Sequence, residues 1–397
     1  MKRNIFIYRL AQAASFIVAK VIFKRKFLRN EIKGKKGPFV VIANHQCVLD
    51  FVNLIGATKT PMSFVISNSF YNSLPIKGLL DRMGLIPKQQ FQTTVKDMKR
   101  MKTVIEKGGP LVIYPAGLMC EDGLSTPIPA ATYKFLKWLN ADVYVAKTIG
   151  TYFSRPKWSK GFRSGRTFLD VYRLFEREEL EALPIEDIKQ KTEEALFFDA
   201  YREQEKYLVK YKNNNNIEGL EKVLYMCPHC GAEFEVRVKN SDTIYCKECG
   251  FEQTCDCYGF LHNIGNIGDE VRYPSDWSRK IYSVLKEKVL RGEENTLSYK
   301  TDILMIDQKA HKFKKVGQGT VALERTGFVL EGEIGGKAQC LNISITNFAS
   351  LPFSPGKYFE IQQGDNIYRC VLKDGRLVMK FINLVKIFYE LNTLELI

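Results

Sequence analysis

Between residues 38 and 175 the chain alternates short Val- and Ile-rich runs with longer polar stretches of helical character, and few folds accept that rhythm. The runs GPFVVIAN, SFVIS, GPLVIYP and DVYVAKTIG are separated by TTVKDMKRMKTVIEKGG and AATYKFLKWLN. Strands of this kind are buried on both faces, and the helices between them supply the cover. The expectation is an α/β domain with a mostly parallel sheet flanked by helices, over residues 38–212. Its end, PIEDIKQKTEEALFFDAYREQEKYLVKYK, reads as one or two charged helices.

Length and charge extend the reading. A chain of 397 residues, 45% apolar and 26% charged, has room for two or three globular domains. Of the net charge of +15, an excess of ten lies in residues 1–37, which hold eleven Lys or Arg and one Glu. Such a segment suits an anionic membrane surface or a nucleic acid. Arg9 and Lys20 interrupt its apolar stretches, so no uncharged run reaches the roughly 20 residues needed to span a bilayer. Phe6, Ile7, Leu10, Ala14, Ile17, Val18, Val21 and Ile22 recur at helical spacing among basic residues. We read residues 1–37 as a basic amphipathic membrane-surface segment. A helix packed on its own domain fits the same pattern, and the two are compatible.

The ten cysteines include two CxxC pairs and no disulfide-like framework, which points to a reducing, cytoplasmic setting. After a polar linker, residues 213–223, the segment 224–257 contains CPHCGAEFEVRVKNSDTIYCKECG. Cys227, Cys230, Cys246 and Cys249 have C-x2-C-x15-C-x2-C spacing, with a glycine after each pair. Four thiolates make a closed tetrahedral site, so the expected cofactor is a structural zinc ion in a zinc ribbon. A connector helix is expected within 258–295. Residues 296–397 then carry several strands and a closing helix, a β-rich pattern that resembles pleckstrin-homology or GRAM-like domains.

The chemistry is concentrated in NHQCVLD, directly after the apolar run FVVIAN. His45 and Asp50 do not share a helix face at a spacing of five. They meet if His45 sits in the turn after a strand and Asp50 opens the next helix, where a carboxylate holds one ring nitrogen and leaves the other as a base. Taken alone, the pair fits a satisfied core histidine better than a base. Two further blocks reverse that: MGLIPK, and VIYPAGLMCEDG after it. Together the three resemble the glycerolipid acyltransferase family, which includes the 1-acylglycerol-3-phosphate acyltransferases, over roughly residues 20–200.

The resemblance implies that His45 takes the proton from an acceptor hydroxyl, that Asp50 orients it, and that the hydroxyl attacks the thioester of acyl-CoA or acyl carrier protein. Asn44 completes the first block. Gly84 and Lys88 match the second loosely, with Lys in place of the family's Arg, so a phosphate-binding role for Lys88 keeps the charge and loses the fork. In the third block Tyr114, Pro115 and Gly117 keep the frame of a substrate-binding loop. Ala116, Leu118 and Met119 stand where the family has Glu, Thr and Arg, and the Pro-Ala-Gly version is similar to that of its haemolysin-like branch acylating lyso-ornithine lipids. The implied partners are the acyl donor, a lyso-lipid acceptor and an anionic membrane surface, at the cytoplasmic face. Two other classes stay open: a catalytically inactive lipid-binding scaffold, and a nucleic-acid-binding protein built on the ribbon. Residues 217–252 are close to charge-balanced, which weighs against the latter. IGTYFSRPKWSKGFRSGRTF offers aromatics beside basic residues, either as a membrane- or donor-facing loop or as a hairpin packed by its aromatics.

Overall fold

The computed structural model describes residues 3–89, 94–307, 310, 312–345, 348–364 and 366–394. Residues 1–2 of the expected first segment and 395–397 of the last lie outside them. The chain divides into two compact units, residues 1–156 with 161–212, and residues 157–160 with 213–397.

The first unit opens with α1 (Ile5–Val21), capped by the Asn4 side chain, which accepts from the Ile7 amide. β1 (Lys26–Asn30), β2 (Val40–Ala43), α2 (Asp50–Ile55), β3 (Ser63–Ser67), α3 (Asn68–Asn72), α4 (Lys77–Met83) and β4 (Ile86–Lys88) follow. Next come α5 (Val95–Glu106), β5 (Leu111–Ile113), α6 (Ala131–Leu139), β6 (Val143–Ile149), the single turn α7 (Thr151–Ser154) and β7 (Phe168–Phe175). Three helices close the unit: α8 (Arg177–Ala182), α9 (Ile185–Leu196) and α10 (Ala200–Tyr207).

Its seven strands lie in the order β1-β7-β6-β2-β5-β3-β4. β6, β2, β5, β3 and β4 run parallel, whereas β7 is antiparallel to β6 and β1 follows β7. The all-apolar runs are explained by layers on both sides of the sheet. Val40 and Ile42 face a core with Leu136, Leu139, Ile188 and Leu196, while Val41 and Ala43 face one with Tyr8, Leu54 and Ile55. Alternate residues of one strand thus enter opposite cores.

α1 buries Tyr8, Ser15 and Ala19 and leaves Phe6, Leu10, Ile17 and Val21 exposed, so its outer face is apolar. Among the described residues no helix is long and apolar enough to cross a membrane. The 149–168 segment differs from a loop that displays its aromatics. Tyr152, Phe153 and Phe168 are buried because the segment folds back from β6 into β7, Trp158 is buried as part of the second unit, and Phe162 alone of its phenylalanines is exposed.

The second unit contains a four-stranded antiparallel sheet of β8 (Val236–Lys239), β9 (Thr243–Cys246), β10 (Glu252–Cys255) and β11 (Leu261–Asn263), in the order β11-β10-β9-β8. After α11 (Pro274–Leu290) come β12 (Thr296–Asp307), β13 (Lys312–Glu324), β14 (Gly327–Ile334), β15 (Lys337–Ser344), β16 (Phe353–Ser354), β17 (Tyr358–Gln363), β18 (Asn366–Leu372) and α12 (Leu377–Leu394). These strands form a second sheet in the order β15-β14-β13-β12-β18-β17-β16. α12 is buried nearly all round: Val378, Met379, Phe381, Ile382, Val385 and Phe388 are covered, and so are Lys380 and Asn383. Its Phe381 ring meets Phe359 of β17 at 4.9 Å, while Lys380 pairs with Glu233 at 2.8 Å and Glu294 at 2.7 Å.

Candidate acid–base site and metal centre

β2 ends at Ala43, at the carboxyl edge of the parallel strands where ligands bind in open α/β sheets. His45 follows in the loop, and Asp50 is the first residue of α2. The turn between them closes the pair: His45 Nδ1 lies 2.9 Å from Asp50 Oδ2. The same oxygen accepts the backbone N–H groups of Gln46 at 2.7 Å and Cys47 at 2.9 Å. Asp50 is fully buried, whereas the His45 side chain is 21% exposed, so the orienting group is enclosed and the ring still reaches solvent. With the Nδ1 hydrogen donated to Asp50, the neutral imidazole leaves Nε2 as a proton acceptor.

Tyr114, just past β5, covers one face of the imidazole, with ring centroids 4.5 Å apart at 33°. Burial, then the nearby Asp50 carboxylate, pushes its phenol well above the usual range, so it stays protonated. Its hydroxyl is buried and has no hydrogen-bond partner among the described residues. Tyr114, Pro115, Ala116 and Gly117 form a tight turn closed by Gly117 N–H to Tyr114 O at 2.9 Å. Gly117 takes φ +68°, the left-handed value that favours glycine there. The Cys120 amide then donates to His45 O at 3.1 Å, tying the third block to the first.

The remaining expected site residues fall elsewhere. Asn44 is buried and both ends of its amide are engaged by Thr148, donating to its carbonyl and accepting from its N–H at 2.8 Å. It therefore braces β2 against β6. Gly84 ends α4 at φ +84°, and a Cβ there would meet Arg3 Nε at 2.6 Å, so the Arg3 guanidinium covers it. Lys88 closes β4, with β3 and β5 between it and β2. Burial lowers its amine's pKa, opposed in part by Asp97, and Nζ donates to Gln89 O at 3.2 Å. The structure thus brings His45, Asp50 and Tyr114 together and leaves Gly84 and Lys88 across the sheet.

Gln46 had no signal in the sequence. Its Nε2 donates to Thr148 O at 3.0 Å, and its Oε1 accepts from Thr151 Oγ1 at 3.2 Å and Tyr152 N–H at 3.0 Å. It staples the histidine loop to the segment after β6. Cys47, beside it, is buried with its thiol pushed up to about 12, chiefly by desolvation.

In the second unit, Cys227 and Cys249 sulfurs lie 3.7 Å apart and those of Cys230 and Cys246 3.8 Å apart, all four within 4.8 Å of one another. Sulfurs held at about 2.3 Å from one tetrahedral cation stand about 3.8 Å apart, so the four match a metal site. Gly231 and Gly250, both at φ +74°, turn each knuckle and donate to the Cys227 and Cys246 carbonyls at 3.1 Å.

Residues 23–147 match the family model described as Acyltransferase, and residues 220–252 match a zinc-ribbon model described as the 7 kDa subunit of DNA-directed RNA polymerase. Among solved structures, the 1-acyl-sn-glycerophosphate (LPA) acyltransferase PlsC from Thermotoga maritima is 17% identical, with a TM-score of 0.41, over 51% of this chain and 78% of its own. The Ran-binding domain of Nup2 from Ashbya gossypii is 17% identical, with a TM-score of 0.19, over 24% of this chain and 99% of its own. Neither likeness is close enough to carry function across. No curated protein matches the chain. The chain thus carries a domain of the acyltransferase family, followed by a zinc-ribbon segment.

Proposed function

We propose that the first unit transfers an acyl group from acyl-CoA or acyl carrier protein to the hydroxyl of a lysophospholipid-like acceptor, 1-acylglycerol-3-phosphate or a related lyso-lipid. The observation that carries this is the enclosed Asp50 carboxylate 2.9 Å from Nδ1 of a solvent-reaching His45, at the carboxyl edge of the sheet. The acceptor O–H gives its proton to His45 Nε2 as the oxygen attacks the thioester carbonyl. The tetrahedral oxyanion collapses, the C–S bond breaks, and the departing thiolate takes the proton from His45. General-base help of this kind is worth on the order of 10²–10⁴ in rate. A Cys47 acyl-enzyme is disfavoured, since a buried thiol near 12 supplies almost no thiolate at neutral pH.

The outward Phe6, Leu10, Ile17 and Val21 of α1, flanked by basic residues, support docking at an anionic membrane surface on the cytoplasmic side. Each Lys or Arg near such a surface adds about 1 kcal/mol. In the second unit, Cys227, Cys230, Cys246 and Cys249 hold a structural zinc ion, which leaves no open coordination position for a substrate.

The test is an acyl-transfer screen with the purified full chain, pairing both donor types with several lyso-lipids. Transfer is expected for at least one pair and lost in a folded His45→Ala variant. Turnover retained by that variant would overturn the mechanism. No transfer by the parent with any pair would favour the lipid-binding scaffold instead.

A further inference from the structure

The acid–base pair needs a cation to place an anionic acceptor, and the loop that follows β5 supplies none: Pro115, Ala116, Gly117, Leu118, Met119 and Cys120 are all uncharged. Lys88 is the expected cation, but it stands on β4, the third strand from β2. At about 4.8 Å per strand that is about 14 Å across the sheet. β6, by contrast, is the direct neighbour of β2, with Ala43 opposite Ala146. The segment leaving β6 therefore emerges beside His45.

That segment is held in place by the bonds from Gln46 to Thr148, Thr151 and Tyr152. Arg155 follows one turn later, its amide bonded to Thr151 O at 3.3 Å and Tyr152 O at 3.2 Å. Its side chain is exposed and has no ion pair among the described residues. The guanidinium carbon lies 4.6 Å from the Phe162 ring centre. Stacking covers one face of the plane and leaves the N–H edge open, the edge that grips a phosphate with two parallel bonds.

We infer that Arg155 receives the phosphate of the acceptor lipid and so sets the acceptor specificity of this site, a reading that rests on the acyl-transfer function proposed above. The charge of Arg155 also reaches the interior beside the pair, where it opposes the upward shift of the Cys47 thiol. A phosphate group could equally come from the CoA donor, and the experiment separates the two sources.

Kinetics of the full chain are compared for 1-acylglycerol-3-phosphate and for 1-monoacylglycerol, which lacks the phosphate, each against one acyl-CoA. In the parent the phosphate acceptor has the lower KM. Arg155→Ala should raise that KM about tenfold to a hundredfold, the weight of a charged hydrogen bond, so that the two acceptors converge. Arg155→Lys, which keeps the charge without the fork, should fall between. An unchanged KM for the phosphate acceptor, or a rise confined to acyl-CoA, would overturn the inference. Calorimetric binding of a short-chain, soluble 1-acylglycerol-3-phosphate to His45→Ala, with and without Arg155→Ala, keeps it testable apart from turnover. Arg155-dependent binding without any transfer by the parent would sink only the acyl-transfer reading. Binding that ignores Arg155, or no binding at all, would sink the Arg155 assignment.

Discussion

The His45 site and the cysteine cluster solve the same geometric problem in opposite ways. In the cluster, all four ligand atoms come from one short segment, and two knuckles with left-handed glycines fix them locally. At the histidine, only Asp50 is local. Tyr114 arrives from β5, and Thr148, Thr151 and Tyr152 arrive from the end of β6, through hydrogen bonds that span about a hundred residues. The cluster is a closed object, complete within its own segment. The histidine site is an open one that exists only once the sheet is assembled.

Four perturbations sharpen that contrast, beginning with the largest. Metal removal by a strong chelator should unfold the second unit, since a site of this type contributes about 10–16 kcal/mol of apparent binding free energy. Trp277 reports it: the indole is buried, bonded through Nε1 to Met226 O at 2.7 Å and packed edge-on against Phe251 at 5.8 Å. A red-shifted emission with release of one zinc per chain is the expected result. Unchanged emission after complete release would mean that the cluster does not brace the unit.

Asp50→Asn keeps the shape of the side chain and removes the charge that fixes the histidine tautomer. Transfer should fall about 10⁴-fold with little change in the melting temperature, by analogy with orienting carboxylates elsewhere. Lys380→Ala comes next. It strands the mostly buried Glu294, leaves Glu233 to Lys288 alone, and should cost about 3 kcal/mol in the second unit, read by denaturant unfolding. The smallest effect belongs to Cys47→Ala, which should leave transfer essentially intact and cost about 1 kcal/mol of stability. A large loss of turnover there would reopen an acyl-enzyme route.

The same contrast governs what could be read from the chain itself. β2, β3, β5 and β6 announce themselves because each is buried on both faces or nearly so, which demands unbroken apolar runs. β1 and β4 are the two edges of the sheet; KFLRN is largely exposed and IPK is three residues long with a proline, so neither carries that signature. Cysteine spacing is a local property and survives translation into distance. His45–Asp50 is nearly local and was legible once a strand preceded it. The Gln46 staple and the stacking of Tyr114 depend on which strands become neighbours, information held in the sheet order. Arg155 was visible only as one basic residue among several.

The burial of α12 has a consequence in time. Lys380 meets Glu233, and Arg376 donates to Phe234 O at 2.8 Å, across separations of 147 and 142 residues. Contacts of such reach form slowly, and a chain is synthesised from its amino end. The knuckles are therefore complete well before α12, whose Asn383 meets the Tyr225 side chain, has been made. During that interval a metal ion held by the four cysteines would be the chief restraint on the young segment. With zinc as that ion, a cell short of it should show the defect first as aggregation of nascent chains, before any loss from the finished protein.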